Sequence, residues 1–220
     1  MIGKSHYYGN PFIGIFSKAN DSFAFVPKGC SQNFLEAVGN HLGVETIEAT
    51  INGSNLIGIY MSISKDFVVI PEIASRDEVD NIKRSGLRVI VAGERHNAWG
   101  NNLAMNSKGG IANSEMNPNV LKYIENVSGL EIAPMELEGY KTAGSVILAT
   151  ERGFAVKNMA TENEIRRIES VLKVRGGIAT ANMGNMFISA CALANSRGLL
   201  VGDTTTGIEL ARLQDALNLL

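Results

Sequence analysis

The sequence predicts an α+β protein: a closed ring of five strand–strand–helix–strand (ββαβ-type) units with pseudo-five-fold symmetry. Three observations predict it. The stretch Gly144–Leu172, reading GSVILATERGFAVKNMATENEIRRIESVL, carries the grammar of one unit. That grammar recurs in register along the whole chain. The last unit lacks its final strand, while the chain begins with a spare one, so a ring would use both and an open array would leave raw edges.

Within the first of these, Ser145–Ala149 is apolar enough for a strand, Glu151-Arg152-Gly153 is a turn and Phe154–Val156 a second strand. Thr161 then opens a helix, with Glu164 three residues later completing a capping box. Ile165, Ile168 and Leu172 follow at helical spacing. Gly14, Gly58, Gly100 and Ser189 serve as the same origin elsewhere, spaced 42 to 45 residues apart. Seventeen residues after each stand Ser31, Ser75, Asn117 and Thr206, all good N-caps. The pairs Leu35/Val38, Val79/Ile82, Leu121/Ile124 and Leu210/Leu213 repeat the apolar stripe. Periods of this length signal propellers or arrays.

Taken in order, Met1–Tyr8 precedes the first unit and reads as a strand that would close the fifth. Unit one spans about residues 9–50, with strands at Phe12–Ser17 and Phe23–Val26, a helix at Ser31–Leu42 and a third strand at Val44–Ala49. Unit two spans about 51–93, with its third strand at Leu87–Ala92. Pro27 and Pro71 end the second strands at the same offset, as residues that cannot donate to a ladder should. Unit three, about 94–137, departs from the rule: Asn101 and Asn102 stand where an apolar strand start is expected, and asparagine is depleted from strands. Asn117-Pro118 starts its helix. Unit four spans about 138–181 and ends on Val174–Ala181. Unit five, about 182–220, has strands at Ile188–Leu193 and Leu199–Val201 and a helix at Thr206–Leu217. No linker divides the chain, so the reading is one domain over 1–220.

Composition narrows the function. The chain has 220 residues, 45% hydrophobic and 19% charged, with a net charge of −2. It is not a polycation, so any nucleic-acid contact must be local. Cys30 and Cys191 are the only cysteines and read as small buried hydrophobes of a protein inside the cell. The N-terminus lacks a secretory pattern, and no run of 18 apolar residues predicts a membrane span. No catalytic set stands out: His6, His41 and His96 lie in three different contexts, and nothing places one beside either thiol. Phosphate-loop and metal patterns are missing as well, so neither a cofactor nor a metal is expected.

Two surfaces compete as a binding face. The turns between the first two strands carry Lys65, Lys108, Arg152 and Arg197, with Lys18 as a looser fifth, and would crown one end of a ring with positive charge. The other end gathers the origin residues and the helix N-termini. There Gly14, Ile59, Gly100, Asn101 and Ser145 would lie near the axis. Glycine would keep that surface low for a partner's backbone, and Asn101 offers an amide that can donate and accept. This origin end is the favoured face.

Several stretches together resemble the translation initiation factor 6 family in its archaeal form: Gly9-Asn10, Ile13-Gly14-Ile15-Phe16, Ser31-Gln32-Asn33-Phe34, Ile57-Gly58, Gly100-Asn101, Gly144-Ser145 and the run from Gly202 through Asp203-Thr204-Thr205 to Glu209-Leu210. The resemblance spans essentially the whole chain. It implies the pentein fold, a non-enzymatic and cytoplasmic role, and a monomer. It implies binding to the large ribosomal subunit, with contacts to ribosomal proteins and to the sarcin–ricin loop of the rRNA. Such binding would block premature subunit joining, and in eukaryotes it also serves ribosome biogenesis. Gly14 and Asn101 match positions on the family's ribosome-facing surface. Ile59 departs from the arginine of eukaryotic members. The same fold hosts amidino-group enzymes such as arginine deiminases, whose cysteine, histidine and acidic set is not found here; a protein-binding ring without a ribosome role is the other alternative.

Overall fold

The computed structural model describes residues 1–219. It opens with strand β1 (Ile2–Ser5). Unit one follows as a 3-10 turn (Ile13–Ile15), β2 (Lys18–Ala19), β3 (Phe23–Pro27), α1 (Gln32–Leu42) and β4 (Glu45–Ala49). Unit two has α2 (Ile57–Tyr60), β5 (Ser62–Ile63), β6 (Phe67–Pro71), α3 (Arg76–Lys83) and β7 (Arg88–Ala92). Unit three has α4 (Trp99–Asn102), β8 (Leu103–Met105), β9 (Gly109–Asn113), α5 (Pro118–Ser128) and β10 (Glu131–Met135). Unit four has α6 (Ala143–Val146), β11 (Ile147–Ala149), β12 (Phe154–Lys157), α7 (Glu162–Leu172) and β13 (Gly176–Ala179). Unit five has α8 (Ile188–Cys191), β14 (Ala192–Ala194), β15 (Leu199–Gly202) and α9 (Gly207–Ala216).

In every unit the first two strands are antiparallel and the third runs parallel to the second. In unit five the parallel partner of β15 is β1, with Ile2 opposite Leu199 and Ser5 opposite Gly202. Parallel pairing needs a long crossover, and the five long helices supply it. Their starts follow the cap register. Ser31, Ser75, Asn117, Thr161 and Thr206 are the N-caps, and each side chain accepts a backbone N–H of the first turn. Complete capping boxes form at Ser75/Glu78, Thr161/Glu164 and Thr206/Glu209.

The starts of the first strands differ from the sequence reading. What reads as one strand at Phe12–Ser17, Ser145–Ala149 or Ile188–Leu193 is a short helical turn followed by a strand of two or three residues. Asn101 and Asn102 therefore do not fray a strand; they belong to α4. A run of four residues, mostly apolar and at least half-buried, is too short for periodicity to tell a helical turn from a strand. These turns contact one another in a closed cycle: the 3-10 turn touches α2 and α8, α4 touches α2 and α6, and α6 touches α8.

Each part of the core is shared between neighbouring units. Phe25 and Ile51 pack with Ile57, Val68 and Ile82 across the first seam. Ile13, Val26 and Phe34 pack with Leu193 and Leu200 where unit five meets unit one. Burying a face only against the next repeat is what makes repeat arrays depend on their neighbours.

Candidate docking face

The chain direction gives the ring two unlike ends. Second and third strands lead to an end where the helices begin, and there the helix N-caps meet the inter-unit turns Tyr7–Asn10, Ile51–Ser54, Leu137–Tyr140 and Ala181–Asn185. The turns joining the first two strands lie at the other end. The origin residues sit at the axis on the cap end, within the helical turns.

The glycines among them are there for an internal reason. A Cβ built at Gly58 would fall on the carbonyl oxygen of Gly14, one at Gly100 on that of Gly58, and one at Gly14 on that of Ser189. Gly144 meets Gly100 in the same way. Gly14 and Gly100 are buried. So glycine at these positions admits the neighbouring unit's backbone rather than a partner's, and the expectation of a low surface kept open for a partner is corrected accordingly. The two asparagines of α4 separate in role. Asn102 is buried, donates to the carbonyls of His96 and Ala98, and accepts from Asn113. Asn101 is half-buried, and its side-chain amide has no hydrogen-bond partner among the described residues. Ser145 is buried and bonded to Thr142, through its carbonyl at 2.7 Å and its hydroxyl at 2.8 Å. Ile59 is half-buried.

The cap end also displays apolar side chains on its turns and at a helix start. Met183 is 75% exposed, Ile208 72% and Tyr8 69%, with Met159, Ile73 and Phe187 exposed to lesser degrees. Met183 stands alone between Asn182 and Gly184, whereas Tyr8 and Phe187 adjoin other apolar residues and Ile208 lies in the first turn of α9, so no shared sequence pattern marks them. Met183 is held out by a turn in which Asn182, Met183 and Gly184 all have positive φ. Left-handed backbone at a non-glycine residue is costly. Here Glu209 offsets that cost by accepting the N–H groups of Met183 and Gly184. Glu78 braces the second inter-unit turn the same way, accepting from Asn52 and Gly53 at 2.8 Å each while also capping α3. Burial alone would raise the Glu78 carboxyl; hydrogen bonds from Gly53, Thr50, Ser75 and Asn52 outweigh it and hold the group at about 2.

At the turn end, polar groups are spent inside the ring. Asn20 donates to the carbonyls of Ser64 and Lys65, Ser64 to Asn106, Asn106 to Thr150 and Leu172, and Asn195 to Asn20 and Leu42. Asp21 accepts from Ser196, and Glu151 from Ser107. Of the cations read as a crown, Arg197 donates to Asp21 and Gly43 and Arg152 to Ser196, whereas Lys65 and Lys108 are exposed without such bonds among the described residues. Lys18 does not belong to the crown. It lies on β2, and strand alternation turns it toward the axis, where its ammonium bonds Ser189.

The thiols are tuned away from nucleophilic chemistry. Burial pushes Cys191 up to about 12, and burial followed by the charge of Glu48 pushes Cys30 up as well. No cluster of His, Cys, Asp and Glu suited to a metal ion occurs among the described residues. No helix among them is long and apolar enough to cross a membrane.

Five three-stranded sheets, each of ββαβ type and joined in a closed cycle, define the class of the pentein architecture. A model of the eIF-6 family matches residues 2–216. The Translation initiation factor 6 of Picrophilus torridus is 31% identical, over 99% of this chain and 100% of that protein. Its namesakes in Staphylothermus marinus and Saccharolobus islandicus are 31% and 33% identical over 96% of this chain. The chain belongs to the eIF-6 family.

Proposed function

We propose that this protein is a translation initiation factor of the cytoplasm that binds the large ribosomal subunit through its cap end and delays joining of the small subunit. The observation that carries the choice of face is the contrast between Asn101, whose amide has no partner among the described residues, and the turn-end amides of Asn20, Asn106 and Asn195, which are bonded within the ring. In this reading the 220 residues act as one domain and as a monomer. Ile59 and Asn101, the half-buried members of the origin set, lie against ribosomal protein and rRNA, the sarcin–ricin loop included. The exposed Met183, Ile208 and Tyr8 supply apolar area at the rim, and a single amide adds selectivity because an unpaired buried polar group is costly on either side. The role is one of occupancy: a body seated on the joining face excludes the small subunit without any reaction. The raised thiols agree with a protein that performs no covalent chemistry.

Co-sedimentation with purified large subunits tests this reading. The wild-type protein should travel with them and suppress subunit joining. Asn101→Ala should weaken binding roughly tenfold while the melting temperature stays unchanged. Lys65→Glu with Lys108→Glu should alter it little. Failure of the wild type to co-sediment would overturn the function; loss only in the lysine double variant would put contact at the other end.

A further inference from the structure

The first strands surround a pocket of about 40 Å³ on the axis, lined among others by Lys18, Ser62, Leu103, Ile147 and Ser189. A water needs roughly 10–15 Å³ of such space, so the pocket has room for a few small bodies. Lys18 is its one charged lining residue. The equivalent positions in the other units are Ser62, Ala104, Leu148 and Leu193, and none carries charge. The Lys18 ammonium donates to Ser189 Oγ at 2.8 Å. No carboxylate pairs with Lys18 among the described residues. Burial pushes its ammonium down to about 8, so at neutral pH it remains cationic.

The donor arithmetic is then incomplete. An ammonium has three N–H donors and Lys18 uses one. The Ser189 hydroxyl accepts that bond, and its own proton has no acceptor among the described residues. Ser62 is not in the same position, because its hydroxyl donates to the Leu103 carbonyl at 2.6 Å. Two N–H groups of Lys18 and the O–H of Ser189 thus have no partner among the described residues, on two side chains that line the pocket. Lys18 is half-buried; charges withdrawn from water are ordinarily paired, and no side chain among the described residues supplies the negative partner.

We propose that Lys18 and Ser189 bind a small monovalent inorganic anion of the halide class on the ring axis. Lys18 belongs to unit one and Ser189 to unit five. The anion therefore ties together the seam at which the ring closes, and its binding adds to stability by mass action.

Crystals grown or soaked in bromide test the site directly. An anomalous peak is expected within hydrogen-bonding reach of Lys18 Nζ and Ser189 Oγ. In solution, the melting temperature should rise by about 3 °C from low to high chloride, relative to sodium gluconate at equal ionic strength. Lys18→Met keeps the stem and removes the donors, and should abolish that difference. Should Lys18→Met not fold, Ser189→Ala removes only the hydroxyl and should reduce it. An axis without a bromide peak would overturn the proposal, as would a chloride effect that persists unchanged in either variant.

Discussion

The two ends of the ring solve the problem of joining five units differently. At the cap end the units meet backbone to backbone: glycines at 14, 58, 100 and 144 let one helical turn press on the next carbonyl. At the turn end they meet through side chains, each asparagine or serine handing a hydrogen bond to the next unit. The first device uses no side chain, so those near the axis and on the rim are left for display. The second consumes the polar groups that a partner would read. A face for docking and a face for closure are thereby separated along one axis.

The cap end should be the more brittle. Gly58→Ala places a Cβ on the Gly14 carbonyl, and the cost should reach at least about 3 kcal/mol, seen as loss of the cooperative melting transition. Gly207→Ala, with open space around the added carbon at a helix start, is the contrast and should be neutral. If Gly58→Ala melted like wild type, the backbone seam would not be what holds that end.

Asn106→Ala tests the turn end. It strands the carbonyls of Thr150 and Leu172 and the N–H groups of Lys108 and Gly109. About 3 kcal/mol of stability should be lost in chemical denaturation. The loss should leave large-subunit binding by the folded protein unchanged, because that amide faces away from the proposed partner.

The carboxylates that brace the cap end give it a pH dependence. The Glu78 carboxyl is held at about 2 against an ordinary 4.5. A depressed folded-state value means that this stabilisation is complete above about 4.5 and is lost as pH falls toward 2. Glu209 is shifted in the same direction; burial opposes the shift, and bonds from Thr206, Gly184 and Thr180 outweigh it. A melting series across this window should show a shallower fall for Glu78→Gln than for wild type, from a lower starting point. Parallel curves would remove the bracing role.

The smallest effect is a gain. Asn20, Asn106 and Asn195 each accept from their own turn with one end of the amide and donate to a neighbouring unit with the other. Thr150, at the equivalent place, spends its hydroxyl on its own turn and hands nothing on. Thr150→Asn should add the missing bond and about 1 kcal/mol. No gain would mean that the seam from unit four to unit five is closed by other contacts.

The sequence was most legible where chemistry is local. Thr161 and Glu164 announce a helix start without reference to anything distant; the box recurs at Ser75 and Thr206, and an N-cap residue in register at five places is enough to count the units. It was least legible at the axis. The glycine at 58 is explained only by a carbonyl contributed 44 residues earlier, and Ile57–Tyr60 looks like a strand until its neighbours on all sides are known. Asn101 was singled out because an amide is odd in an apolar run, but the adjacent Asn102 carries the same signal and is buried in the fold. Only their partners distinguish them. Lys18 was grouped with the turn cations by its spacing, whereas strand alternation turns it inward.

The pairing of β1 with β15 has a consequence in time. The strand at Ile2–Ser5 is made long before its partner Leu199–Gly202. At roughly 5–20 residues per second, the nascent chain carries that unpaired segment for about 10–40 s before its mate exists. The four intervening units can pair their own strands as they emerge. The fifth cannot be completed until the opening residues are brought back, so closure of the ring waits for residues made long after the strand that closes it.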